Sequence, residues 1–247
     1  MNEAIQFTNL TKLYNNGRGI DDLNLTVKQG EIFGFLGPNG AGKTTVMKLM
    51  TGLVQPTLGE VRIFGASVQH QFVQAMSHVG CLIETAESFH YLSAYENLSL
   101  SASFYEHVDA QRIHECLELT GLSQYAHEKT KKFSLGMKQR LGIANALLSN
   151  PKLLILDEPL NGLDVQGMLD MRYLIKKLSE EHGTTFFISS HLIHDVELTC
   201  NRIGIVLNSR LVSADTTDDI LKNFSSLEQY FINEVERNGR ITSQLSE

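Results

Sequence analysis

The chain has 247 residues, with 28 acidic against 21 basic side chains and a formal net charge of −7, a length that suits one large domain or two small ones. Its acidic balance disfavours sequence-independent nucleic-acid binding, which needs a basic face. No apolar run approaches the roughly 20 residues of a membrane span, and MNEAIQFTNLTKLY lacks the basic-then-apolar order of a secretory signal, so a soluble chain is expected. Cys81, Cys116 and Cys200 form no CxxC and cannot all pair, which suits a reducing compartment and reads as three core thiols.

Apolar runs of strand length open the chain at AIQF (4–7), LNLTV (23–27) and EIFGFL (31–36). The third runs straight into GPNGAGKTTVMKLMTG, which satisfies G-x-x-x-x-G-K-[ST] at Gly37, Gly42, Lys43 and Thr44. Glycines let the backbone curl so that its N–H groups converge on phosphate oxygens, while the helix behind aims its positive end at the same charge. The nucleotide-binding candidates are therefore Gly37, Pro38, Asn39, Gly40, Ala41, Gly42, Lys43, Thr44 and Thr45. Lys43 supplies a mobile positive charge for the β and γ phosphates, and the Thr44 hydroxyl is an oxygen donor for Mg²⁺. A nucleotide's phosphates and Mg²⁺ are the expected ligands, with ATP the nucleotide implied by the resemblance given below.

Strand-length runs continue at EVRIF (60–64) and VGCLIE (79–84). The second ends on Glu84, which these residues alone leave open between a surface charge and a site. From about 87 to 148 the pattern is mainly helical, with a capping box at Ser93 and Glu96 and a second helix start at Asp109. Strands resume at KLLILD (152–157), TTFFIS (184–189) and RIGIVL (202–207). In KLLILDEP, Asp157 and Glu158 stand where a strand ends, the edge at which parallel α/β sheets bind ligands. Asp157 is placed to hold the magnesium shell and Glu158 to polarise the attacking water. Strand neighbours point opposite ways, so a role for both requires the strand to stop there. In the tail, Leu227, Tyr230, Phe231 and Val235 share one helical face.

With FSLGMKQR at 133–140, NGLD at 161–164 and His191 behind TTFFISS, the chain resembles an ATP-binding cassette (ABC) ATPase over nearly its whole length. The resemblance implies an α/β P-loop NTPase core, a mixed sheet with flanking helices, spanning 1–214. A helical subdomain at about 87–148 is inserted in it, and a helical extension covers 215–247. It implies that Ser134, Leu135, Gly136 and Met137 form the signature that meets a second subunit's ATP, with Leu135 and Met137 departing from the usual glycine and glutamine. Asp164 becomes the D-loop aspartate, His191 the switch histidine beside the γ-phosphate, and Tyr14 the platform for adenine. Glu84 stands where the family has a glutamine whose oxygen reaches Mg²⁺, and a carboxylate offers the same oxygen with a charge attached.

Glu84, SAYENL, SLGMKQRLGIA and NGLD together resemble the ATP-binding subunits of bacitracin-type and lantibiotic-immunity transporters. That resemblance implies an ATP-hydrolysing homodimer, peripheral on the cytoplasmic face of the membrane. It would dock on separately encoded permease subunits to expel a peptide antibiotic, with no lipid insertion of its own and no nucleic acid expected. Another cargo, such as a drug, lipid or ion, stays open because the membrane partner selects it. A cassette acting on ribosomes or DNA fits poorly with a single cassette, an acidic balance and no long coiled-coil arm. A P-loop kinase or GTPase has no use for a cross-subunit signature.

Overall fold

The computed structural model describes residues 2–15, 17–84 and 87–244. The chain opens with an antiparallel pair, β1 (Glu3–Leu13) and β2 (Gly19–Lys28), followed by β3 (Ile32–Leu36) and α1 (Lys43–Met50). Strands β4 (Leu58–Ile63) and β5 (Ala66–Ser67) follow, then the short α2 (Phe72–Met76) and β6 (Val79–Leu82). A helical stretch holds α3 (Ala94–Ala102), α4 (Ala110–Leu119), two short 3₁₀ turns and α5 (Leu135–Leu147). Next come β7 (Leu153–Asp157), α6 (Val165–His182), β8 (Thr185–Ser190) and α7 (Ile193–Thr199). The described chain finishes with β9 (Arg202–Leu207), β10 (Arg210–Thr216), α8 (Thr217–Asn223) and α9 (Leu227–Gln244).

Two sheets form among the described residues. One is antiparallel in the order β2-β1-β4-β5, and the other has the order β10-β9-β3-β8-β7-β6. In the second, β6, β7, β8, β3 and β9 run parallel and β10 closes the edge antiparallel. Its central strands are buried on both faces, and their period of two divides them between two cores. Leu36, Leu154, Leu156, Phe186, Ile188 and Ile203 face the helical side. Phe33, Phe35, Leu153, Ile155, Phe187 and Val206 face the antiparallel sheet and α1. Phe187 anchors that second core, stacked on Phe33 at 5.5 Å between ring centroids and tilted against Phe35 and Phe7 at 5.3 and 6.0 Å.

Local chemistry explains the boundaries. Ser93 and Glu96 make the reciprocal capping box at the start of α3, and Asp109 caps α4 through the Arg112 amide. Gly183, at φ 64°, ends α6 in the left-handed conformation that glycine adopts without penalty. Several expectations need correction. Strand β6 stops at Leu82, so Ile83 and Glu84 lie beyond it, with Glu84 at φ 67°. Two strands, β5 and β10, had no recognisable apolar run. Cys81 is exposed, while Cys116 and Cys200 are core thiols whose burial pushes their pKa to about 11 and about 12. On α9, Leu227 and Tyr230 face the core as the periodicity indicates, but Val235 is exposed and Glu234 is buried instead. The last three residues of the expected extension, 245–247, lie outside the described residues.

Candidate active site

Strand β3 delivers the chain into the glycine-rich turn with its five residues fully buried, so the turn starts from a fixed point. The Gly37 amide donates to the Ser190 carbonyl at 3.2 Å, tying the turn to the end of β8. Gly40 and Gly42 have φ of 85° and 107°. A Cβ on Gly42 would fall 1.9 Å from the Gly19 carbonyl oxygen, so the tight approach of β2 admits only glycine. Gly42 caps α1 without a side chain, leaving the first amides of the helix to an anion. Lys43 is 6% exposed and folds back to donate to the carbonyls of Gly37 at 2.8 Å and Pro38 at 3.3 Å.

Strands β3, β8 and β7 are neighbours, and their C-terminal ends bring the acidic residues to this turn. The Thr44 hydroxyl donates to Asp157 Oδ2 at 3.0 Å. Ser189, paired in register with Asp157 across β7 and β8, donates its hydroxyl to Asp157 Oδ1 and accepts the Glu158 amide at 3.0 Å. Because β7 ends at Asp157 and Glu158 turns to φ 49°, both carboxylates reach the same edge. Glu158 Oε1 lies 3.3 Å from Lys43 Nζ, and its Oε2 lies 2.8 Å from His191 Nδ1. The His191 backbone amide also donates to Glu158 Oε2, at 3.3 Å. The carboxylate is thus fixed between an ammonium and an imidazole, with one polar ring available to orient a neighbour.

The other expected residues stand at varying distances from that cluster. Glu84 pairs with Lys48 at 2.6 Å, and that carboxylate holds the Lys48 ammonium above its usual pKa against the opposing effect of desolvation. Tyr14 lies in a turn closed by its amide bonding to the Arg18 carbonyl, with its ring half exposed and Lys12 Nζ 5.8 Å from the ring centroid. Ser134 caps α5 by accepting the Met137 amide at 3.2 Å, and Asp164 caps α6 through the Gly167 amide at 2.9 Å. Leu135 is exposed and Met137 half-buried. Among the described residues, no hydrogen bond or ion pair joins Ser134, Gly136 or Asp164 to Lys43, Asp157 or Glu158. The signature and the D-loop instead meet each other: Leu135 lies close over Gly162, and Leu163 over Gly136.

Thr44 and Asp157 form an oxygen-only donor pair, the type a hard divalent cation takes while keeping several waters. Among the described residues no group of three or more His, Cys, Asp or Glu is assembled. Sequence reasoning missed Ser189 and Lys48. Ser189 could have been found as the polar end of a buried apolar strand, and Lys48 by its i,i+4 spacing from Thr44 on one helix face.

The family model described as "ABC transporter" matches residues 20–161. The chain is 43% identical over 220 residues to the bacitracin transport ATP-binding protein BcrA of Bacillus licheniformis, covering 89% of this chain and 72% of that one. It is 36% identical over 231 residues to the lantibiotic transport ATP-binding protein SrtF of Streptococcus pyogenes, covering 94% and 97%. Among solved structures, the dimeric post-hydrolysis state of the ATP-binding cassette MJ0796 bound to ADP and Pi matches with a TM-score of 0.76 at 28% identity, over 86% of this chain and 98% of that one. An α/β core with this loop, these carboxylates and these relatives leads to one conclusion: the chain belongs to the ABC transporter family as an ATP-binding protein that binds and hydrolyses ATP.

Proposed function

We propose that this chain is the ATP-hydrolysing subunit of a transporter that exports a peptide antibiotic, working as a homodimer on the cytoplasmic face of a membrane. The cargo is inferred from relatives named for bacitracin and lantibiotic transport. The observation that carries the catalytic part is the convergence of Lys43, Asp157, Glu158 and His191 at the ends of three adjacent strands. Tyr14 stacks the adenine, and the amides from Gly37 to Thr45 cradle the phosphates. Lys43 exchanges its carbonyl partners for phosphate oxygens. Glu158 accepts a proton from the attacking water, and His191 orients that water and the γ-phosphate. Mg²⁺, held by Thr44 and Asp157 with Glu84 as a further oxygen, would neutralise charge on the phosphates. Catalysis in such a site is mostly positioning and charge stabilisation.

Ser134 and Gly136 of a second copy approach the same phosphates, with Leu135 and Met137 flanking them, and Asp164 lines the seam between copies. A permease docks over the cleft of about 970 Å³ lined by Leu53, Ile83, Phe89, His90, Leu135 and Gln139. That cleft joins the segment behind Glu84 to the signature helix, so closure of the dimer is felt by the docked partner. No helix among the described residues is long and apolar enough to cross a membrane.

Glu158→Gln tests the chemistry. It is expected to keep ATP binding within a few-fold while lowering steady-state turnover by roughly 100-fold or more, the range a lost general base commands. Ordinary turnover in that variant would remove Glu158 from its role. The same variant, tagged and loaded with Mg-ATP in detergent-solubilised native membranes, is expected to co-purify a small polytopic permease. Recovery of ribosomes or nucleic acid without a permease would end the transport reading and leave the ATPase chemistry standing.

A further inference from the structure

Helix α6 touches the signature at one end and the switch-histidine segment farther along. Its first turn is capped by Asp164, and Leu163 and Gly162 just ahead of it pack on Gly136 and Leu135 of the signature. Arg140 of α5 lies 3.9 Å from Asp170 of α6, adding a second tie on that side. Two residues on, Arg172 forms an ion pair with Asp195 in the first turn of α7, four residues after His191. Asp195 is buried and Arg172 partly so, their side chains 7% and 16% exposed, and Arg172 Nε is enclosed without a partner among the described residues. Asp195 cannot turn to water instead, so its carboxylate depends on the Arg172 guanidinium.

We propose that Arg172 and Asp195 are positioning residues that transmit a shift of the signature and D-loop edge to His191. The inference rests on the roles given above to Ser134 and His191. Those roles put the two ends of the link at different ATP molecules: the signature of one chain reads the ATP held mainly by its partner, while His191 serves the ATP of its own phosphate loop. Helix α6 is a stiff element between them. Asp195 follows His191 by four residues, and the neighbour of His191, Ser190, accepts the Gly37 amide of the phosphate loop. A displacement entering at Leu163 and Gly136 therefore reaches the imidazole through Arg172 and Asp195. The pair makes hydrolysis at one site sensitive to closure at the other, a coupling between sites with a physical carrier.

Removing one charge alone strands the other inside the protein. The decisive variant is therefore the double replacement Arg172→Met with Asp195→Leu, which fills similar volume without charge. It is expected to bind Mg-ATP within about threefold of the parent and, when Glu158→Gln is added, to form the ATP-driven dimer undiminished by size-exclusion chromatography. Its steady-state turnover should fall at least tenfold, with the Hill coefficient for ATP dropping toward one. Parental turnover in the double variant would overturn the proposal. A parallel loss of turnover, ATP binding and dimer formation would overturn it too, because that pattern belongs to general loosening of the fold. Should the double variant not fold, Arg172→Lys, which keeps both charges but loses the planar guanidinium geometry, is judged by the same three readouts. A failure of the underlying site assignment is distinguishable, since it would appear as turnover retained by Glu158→Gln alone.

Discussion

The Glu84 and Lys48 side chains meet at 2.6 Å with 61% and 32% of their surfaces exposed. A pair so open to water contributes about 0–1 kcal/mol, so Lys48 is a weak competitor for that carboxylate. On the proposed role of Glu84 in the metal shell, leaving Lys48 would cost it little, and with the metal absent Lys48 would offset the repulsion between Glu84 and phosphate. Glu84→Gln is accordingly expected to shift the Mg²⁺ concentration at half-maximal ATPase activity, with little change in denaturant midpoint. An unchanged Mg²⁺ titration would remove Glu84 from the metal shell. At this scale the sequence was informative wherever chemistry demands a residue type: Gly42, Lys43, Thr44, Asp157 and Glu158 announce themselves by spacing. Ser189 and Lys48 did not, because serine and lysine are common and their meaning depends on a register partner or a helix face.

Among the elements, α3 and the loop before it depend on Asn97, which SAYENL contains without disclosing its structural role. Asn97 is buried; its amide nitrogen donates to the carbonyls of Phe89 at 3.2 Å and Ser93 at 2.8 Å, and its oxygen accepts the Phe89 amide at 2.8 Å. It therefore sets Phe89 at the rim of the proposed docking cleft. Asn97→Leu leaves the Phe89 amide unpartnered and is expected to cost about 1–3 kcal/mol, read as a lower urea midpoint. Permease capture should weaken as well, while ATP binding by the separately built phosphate loop is spared. Its partner lies eight residues away in a stretch without periodicity, so the motif that contains Asn97 did not disclose this bond. The capping box of α3, the cap of α4 and the central strands were legible because each is local or doubly buried. Strand β10, RLVSADT, is a half-exposed edge, so its pairing with β9 supplies the order that composition does not.

For the whole molecule, net charge and surface decide how it meets a membrane. With a formal charge of −7 and no membrane-crossing helix among the described residues, attraction to anionic lipid is disfavoured. In a flotation assay the protein is expected to stay with the soluble fraction when mixed with anionic vesicles alone, and to float when the vesicles carry its permease. Flotation with bare lipid would replace docking by direct adsorption. The compact apolar runs of β3, β7 and β8 marked them as core strands, but the partition of the helical side from the antiparallel side emerges only from the strand order.

That same strand order has a thermodynamic consequence. Thr44 and Asp157 are 113 residues apart in sequence, and the phosphate loop, Glu158 and His191 meet only after β3, β7 and β8 have paired. An unfolded chain therefore has no site for ATP, and every bound nucleotide counts toward the native state alone. At a nucleotide concentration of 100 times Kd, that linkage adds about 2.7 kcal/mol to stability. The metabolite this protein consumes is in this sense also its stabiliser, and a cell that runs short of ATP loses part of the transporter's resistance to unfolding together with its fuel.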